Sequence, residues 1–246
     1  MKLQGKTAIV TGGASGFGLG IAQKFIAEGA TVLIADINGA AADEAASGLG
    51  AFAAQCDVAS DADVAALTAT AIDKMGRIDI LVNNAGVTHL PAAMEDVSEE
   101  DFDRVLNVNT KSVYLAAKNI VPLMKAQGSG AILNVASTAG VSPRPRLSWY
   151  NASKGWMITA TKAMAVELAP AGVRVNAINP VAGETPLLKS FMGEDTPEMR
   201  EKFVSTIPIG RFSTPQDMGN AAAFLCSDEA SMITGVAMEV DGGRCI

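Results

Sequence analysis

The chain has little of what marks several common classes of protein. Its three cysteines, Cys56, Cys226 and Cys245, are an odd, scattered set with no C-x-x-C spacing, and His89 is its single histidine. Such a set supports neither a disulfide framework nor a zinc site, and a reducing cytoplasm fits it. No run rich in Lys or Arg occurs, and 26 acidic against 19 basic residues leave a formal charge of −7. Nucleic acid and anionic membranes are therefore poor candidates for the main partner, and small molecules better ones. Long apolar stretches are missing too. The opening "MKLQGKTAIVTGG" has too short an apolar run for a signal peptide, and no later segment approaches a membrane span. No repeat, low-complexity tract or Pro/Gly/Ser linker divides the 246 residues, so one globular unit over 1–246 is expected, a size common for single α/β domains.

What is present is an alternation. Short β-rich runs, "TAIVTG", "TVLIAD", "AFAAQCD", "IDILVNNAG", "GAILNVAS", "VRVNAINP" and "VAMEVDGG", are separated by longer Ala-rich helical stretches, giving seven strand candidates. Most are near-continuous apolar runs, the pattern of strands covered by helices on both faces. The fold class expected is α/β, a single-domain Rossmann-like doubly wound sheet of about seven parallel strands. The weakly patterned region 183–208 reads as a loop-plus-helix lid.

The first strand-to-helix junction is "TGGASGFG", Thr11 to Gly18, followed by the helical "LGIAQKFIAEGA". Gly12 permits the tight turn, Gly16 and Gly18 allow close approach of a pyrophosphate, and the helix start offers unpaired N–H groups to it. Asp36 ends the second strand about 20 residues on, where a carboxylate can accept hydrogen bonds from an adenosine ribose. A 2′-phosphate there would face that carboxylate, and Ala14, Ser15 and Ile37 bring no positive charge, so NAD is preferred over NADP. The alternative for Asp36 is a turn aspartate ahead of Asn38-Gly39.

"SPRPRLSWYNASKGW", Ser142 to Trp156, carries the second constellation. Tyr150 and Lys154 stand at i and i+4 and share one face of a helix. A free phenol titrates near 10, too high for a base at neutral pH, but a neighbouring ammonium favours phenolate. Lys154 is expected to supply that charge, and Ser137, at the carboxyl edge of the fifth strand, to hold a substrate oxygen. Together they provide the acid–base half of a redox reaction whose other half a nicotinamide carries.

Over essentially its whole length the chain resembles the short-chain dehydrogenase/reductase family, on "TGGASGFG", on "NNAG" (Asn83 to Gly86) and on "YNASK". The resemblance implies a catalytic tetrad of Asn109, Ser137, Tyr150 and Lys154, with Asn109 anchoring a water relay to Lys154. It further implies cofactor contacts from Gly12, Ser15, Gly16, Phe17 and Gly18, from Asp36 and Ile37, and from Asp57 and Val58 beside the adenine. Asn83, Asn84, Ala85 and Gly86 would meet the cofactor at the sheet edge, with Tyr150, Lys154, Pro180, Gly183 and Thr185 toward the nicotinamide. Read alone, Asn109 can also serve to bend a helix and Asp57 to cap one. One departure stands out. Val181 follows Pro180 where the family usually has glycine, and Gly183 comes two residues later, changing the loop's backbone freedom.

For the substrate, the candidates are His89, Arg144, Asn151 and Val181. Arg144 and Arg146 either meet an anionic or polyhydroxylated substrate or are solvated loop cations flanking Pro143 and Pro145. Three functions are compared: an NAD-dependent dehydrogenase of a secondary alcohol (sugar, polyol or hydroxy acid), a 3-oxoacyl-carrier-protein reductase, and a non-catalytic dinucleotide-binding module. Asp36 counts against the second because such reductases generally resemble NADP enzymes, and the net charge of −7 because their carrier is acidic. The Ser137, Tyr150 and Lys154 set counts against the third. The apolar excess of "FDRVLNVNTKSVYLAAKNIVPLMKA" and of the helix after Tyr150 suits self-association, and the family resemblance implies a homotetramer.

Overall fold

The computed structural model describes all 246 residues. Strands β1 (Thr7–Thr11), β2 (Thr31–Asp36), β3 (Phe52–Gln55), β4 (Ile80–Asn83), β5 (Gly130–Val135), β6 (Val173–Pro180) and β7 (Ala237–Val240) form one seven-stranded sheet in the order β3-β2-β1-β4-β5-β6-β7. Every pairing is parallel; Ile9 sits opposite Leu33 on one side and Leu81 on the other. The helices are α1 (Gly16–Ala27), α2 (Gly39–Leu49), α3 (Asp61–Met75), α4 (Glu99–Leu106), α5 (Ser112–Gln127), α6 (Ser148–Leu168), α7 (Leu188–Met192), α8 (Pro197–Val204) and α9 (Pro215–Cys226).

The apolar runs are continuous because both faces are buried. Ala8, Val10, Val32 and Ile34 face Ile21 and Phe25 of α1 and Met218 and Ala222 of α9. The alternate residues Ile9, Leu33, Leu81 and Ile132 face Val64 and Leu67 of α3 and Ile120 and Met124 of α5. Phe25 is wholly buried, and its truncation to alanine would cost about 3–5 kcal/mol. Helices α1 and α9 touch through small residues: a Cβ on Gly20 would come within 2.4 Å of Pro215. A capping box at Thr214, with Asp217 returning to the cap N–H, starts α9 at that contact.

Two local departures from simple helix patterning bear on the site. Between α4 and α5, Asn107–Lys111 form a π-helical turn, an insertion that turns Asn109 inward. The region expected as a loop plus one helix contains two, α7 and α8, because Gly193 (φ +79°) ends the first and Pro197 behind the Thr196 cap begins the second. Val181, Leu188, Met192, Ile207 and Phe212 give this segment a small core of its own.

Candidate active site

The strand order reverses between β1 and β4, and the crevice outside the carboxyl ends of the strands opens there. It encloses about 450 Å³ and runs from the Gly-rich loop and Asp36 past Gly86 and Lys154 to Tyr150, Arg144 and the lid.

At the first end, backbone shape does the positioning. Gly12 (φ +60°) and Gly16 (φ +53°) occupy the left-handed region, and a Cβ on Gly12 would lie 2.9 Å from the Ala85 Cα. A Cβ on Gly16 would lie 3.2 Å from the Thr185 side chain. Gly18 differs from its expected role. It does not line the cleft; a Cβ there would strike the Gly12 carbonyl at 2.2 Å and the Asn84 amide at 2.4 Å, so it serves loop-to-helix packing. Ser15 caps α1 without a side-chain hydrogen bond, leaving the first-turn N–H groups free for an anion. A cradle that any Cβ would fill, at the start of a twelve-residue helix, fits the pyrophosphate of a dinucleotide.

Asp36 is held at the cleft by two backbone donors: the Ala14 N–H gives to Oδ2 (3.2 Å) and the Asn38 N–H to Oδ1 (3.1 Å). Its neighbour Ile37 lies exposed beside it. Asp57 accepts from the Ala59 N–H (2.9 Å), and it lines the cleft with Val58. The cap of α3 belongs instead to Ser60, which accepts from the Asp63 N–H. Within "NNAG", Asn83 turns away from the cleft and donates to Asn134 (2.9 Å), which donates on to Thr161. Asn84 lines the cleft and donates to the Thr11 and Gly12 carbonyls at 2.8 and 3.0 Å, so it ties down the first turn. Ala85, Gly86, Phe17, Pro180, Gly183 and Thr185 also face the cleft.

Ser137, Tyr150 and Lys154 meet at the centre. Tyr150 lies in the first turn of α6, and Lys154 follows one turn later with its ammonium 5.9 Å from the phenol ring centre. That ammonium donates to the Val135 carbonyl at 2.9 Å. Burial pushes the phenol up to about 12, opposed by a hydrogen bond with Ser137, and pushes Lys154 down to about 8. Burial thus acts on the phenol against the pull expected from Lys154, and Ser137 is the group that lowers it. Ser137 stands two residues past β5 and accepts from the Ala139 N–H at 3.0 Å.

Asn109 stands behind the cleft wall. Its Oδ1 accepts from the Val87 N–H and its Nδ2 donates to the Val87 carbonyl, both at 2.9 Å, with a further bond to Ser153 at 3.0 Å. A Cβ on Gly86 would lie 3.3 Å from Lys154 Nζ and 3.4 Å from Asn109 Oδ1. Asn109 thus pins the strand exit against the lysine. Ser153 was not legible as a member of this group, because its role depends on α6 meeting the π turn.

Of the substrate candidates, Arg144, Asn151 and Val181 line the cleft. His89 does not: it is buried, its Nδ1 within 2.8 Å of the Leu90 carbonyl and its Nε2 without a partner. Arg146 turns outward and donates to the Pro91 carbonyl (3.3 Å). Phe191 and Phe203 complete the wall. Their only sequence signal was that they are the two aromatics of the lid.

The model of a family described as enoyl-(acyl carrier protein) reductase matches residues 12–244. The 4-formylbenzenesulfonate dehydrogenase TsaC1/TsaC2 of Comamonas testosteroni is 50% identical over 252 residues, covering 100% of each chain. Among solved structures, a 3-ketoacyl-(acyl-carrier-protein) reductase from Brucella melitensis complexed with NADH is 51% identical with a TM-score of 0.95, covering 99% of this chain and 100% of that one. A 7α-hydroxysteroid dehydrogenase complexed with NADH and 7-oxo glycochenodeoxycholic acid is 38% identical with a TM-score of 0.93, over 98% and 95% of the two chains. With that agreement in sequence and fold, the chain belongs to the short-chain dehydrogenase/reductase family, nicotinamide-dependent oxidoreductases acting on alcohol and carbonyl groups.

Proposed function

We propose that this protein is an NAD-dependent oxidoreductase interconverting a secondary alcohol and its ketone, of the sugar, polyol or hydroxy-acid kind, with Tyr150 carrying the proton. The observation that carries the reading is the meeting of Ser137, Tyr150 and Lys154 in the one cleft that the Gly-rich loop and Asp36 also line. A nicotinamide seated between them supplies the two-electron exchange with the substrate carbon. The chain's own groups handle the oxygen. Ser137 and Tyr150 bracket it, and the phenol, held protonated by burial, gives its proton to a carbonyl oxygen on reduction and takes it back on oxidation. Lys154 titrates closest to neutral pH and faces the phenol ring, so it sets the charge against which that transfer occurs. Asn109 positions Lys154 through Gly86 and Val87.

The preference for NAD rests on Asp36, whose carboxylate would repel a 2′-phosphate while accepting from ribose hydroxyls. The remaining contacts at this end come from Ser15, Phe17, Ile37, Asp57, Val58 and Asn84. The Comamonas relative is named for an aldehyde bearing a sulfonate, which favours the hydroxy-acid end of the substrate range. The Brucella neighbour's name favours a second reading, a 3-ketoacyl-carrier-protein reductase; against it stands the charge of −7, which would repel an acidic carrier. A cytoplasmic homotetramer is part of the proposal. The test is turnover of a panel of alcohols, hydroxy acids and a 3-ketoacyl thioester with NAD(H) and NADP(H) in parallel. Faster use of NADP, or reduction of the thioester alone, would overturn the reading.

A further inference from the structure

We propose that Arg144, stacked on Phe203 of the lid, is the receptor for an anionic group on the substrate, so that the cleft selects a small organic acid over its neutral isostere. The inference rests on the dehydrogenase reading for the reaction, but the receptor is defined by its own geometry. The guanidinium carbon of Arg144 lies 4.4 Å from the centre of the Phe203 ring. Nearby arginines have carboxylate partners, Arg200 with Asp195 and Arg211 with Asp217. Arg144 has none, and it lines the cleft. Burial lowers its pKa first, and repulsion from Arg244 of the C-terminal turn, whose own Nε is buried without a partner, lowers it further, with Cys245 opposing. A guanidinium that lines a cleft with no carboxylate partner is a ready receptor for an anion.

The loop is built to hold Arg144 in that place. Asn151, one residue after Tyr150, donates to the Arg144 carbonyl at 2.7 Å, and its Oδ1 is left buried with no partner. Arg146 is the single non-glycine residue with positive φ, +68°, and its carbonyl accepts from the Ala92 N–H at 3.0 Å. That disfavoured turn sends Arg146 outward to Pro91 and leaves Arg144 facing in. Between the reacting phenol and the guanidinium the wall is aromatic: Phe191 packs against Tyr150 with ring centres 5.1 Å apart, and Phe203 lies beneath Arg144. A substrate that satisfies both ends carries its alcohol or carbonyl at Tyr150, an apolar body along these rings, and a carboxylate or sulfonate at Arg144.

The test is equilibrium binding of benzenesulfonate and its neutral isostere benzenesulfonamide to the full chain with NADH, by calorimetry. The wild type is expected to prefer the anion by about tenfold or more, a margin worth 1.4 kcal/mol. Arg144→Ala should erase that preference, and Arg144→Lys, which keeps the charge but not the planar stack, should restore part of it. Absence of a preference in the wild type, or equal loss of both probes in Arg144→Ala with an unchanged melting temperature, would overturn the receptor. A preference that survives while no alcohol is turned over with either cofactor would instead overturn the dehydrogenase reading and leave the receptor standing.

Discussion

The Lys154 ammonium lies 5.9 Å from the centre of the Tyr150 ring and gives its short hydrogen bond, 2.9 Å, to the Val135 carbonyl. A buried ammonium with one strong acceptor is a stability cost kept for another purpose. Its pKa falls from 10.5 to about 8, so below pH 8 the folded state bears the whole cost of the buried charge. Between about pH 8 and 10.5 the unfolded chain binds more protons, and stability rises with pH. Cys56, Cys226 and Cys245, which burial raises from 9, and Tyr150, raised from 10, act oppositely above those values. Lys154→Met is therefore expected to be inactive, yet more stable than wild type at pH 7 by about 1–3 kcal/mol. Its advantage over the wild type should shrink by pH 9.5, where Lys154 is largely neutral in the folded state. Urea titrations of both proteins at pH 7 and 9.5 check this, and a variant less stable at pH 7 would contradict it.

Tyr150→Phe removes the proton carrier while keeping the ring that packs on Phe191. Turnover should fall at least about a hundredfold, with NADH binding by fluorescence nearly unchanged. Near wild-type turnover would rule out the phenol as the carrier.

Asp36→Ala takes away the carboxylate that the Ala14 and Asn38 N–H groups hold in place. The kcat/KM with NAD should fall and the NADP to NAD ratio should rise. A ratio that stays the same would show that the ribose end is read by other groups.

Tyr114 on α5 and Trp156 and Val166 on α6 are exposed, at 57%, 43% and 80%. Apolar surface left open on neighbouring helices suits closed self-association, and a homotetramer is expected. Light scattering at micromolar concentration decides, and a monomer would refute it.

The fold and much of the site were legible because they rest on local rules. A strand with both faces covered favours apolar residues at most positions, and short apolar runs located the strands, the half-buried edge strands β3 and β7 included. Gly12 and Gly16 were legible because only glycine adopts that turn at no cost, and Tyr150 and Lys154 because four residues make about one helical turn.

What the sequence could not determine was which way a side chain faces once distant segments meet. Asn83 and Asn84 are adjacent, yet one bridges to Asn134 on the next strand and the other holds the Gly-rich turn. Arg144 and Arg146 are alike in the sequence, and a left-handed residue anchored to Ala92 and Pro91 sends them opposite ways. Gly18 was read as making room for a ligand, but it makes room for Gly12, because that loop folds back over α1. The burial of the phenol was illegible for the same reason. Spacing brings an ammonium near it, while burial, which depends on every element around the cleft, sets the larger effect. Local sterics and periodicity belong to neighbours in the chain; orientation and desolvation belong to the packed whole.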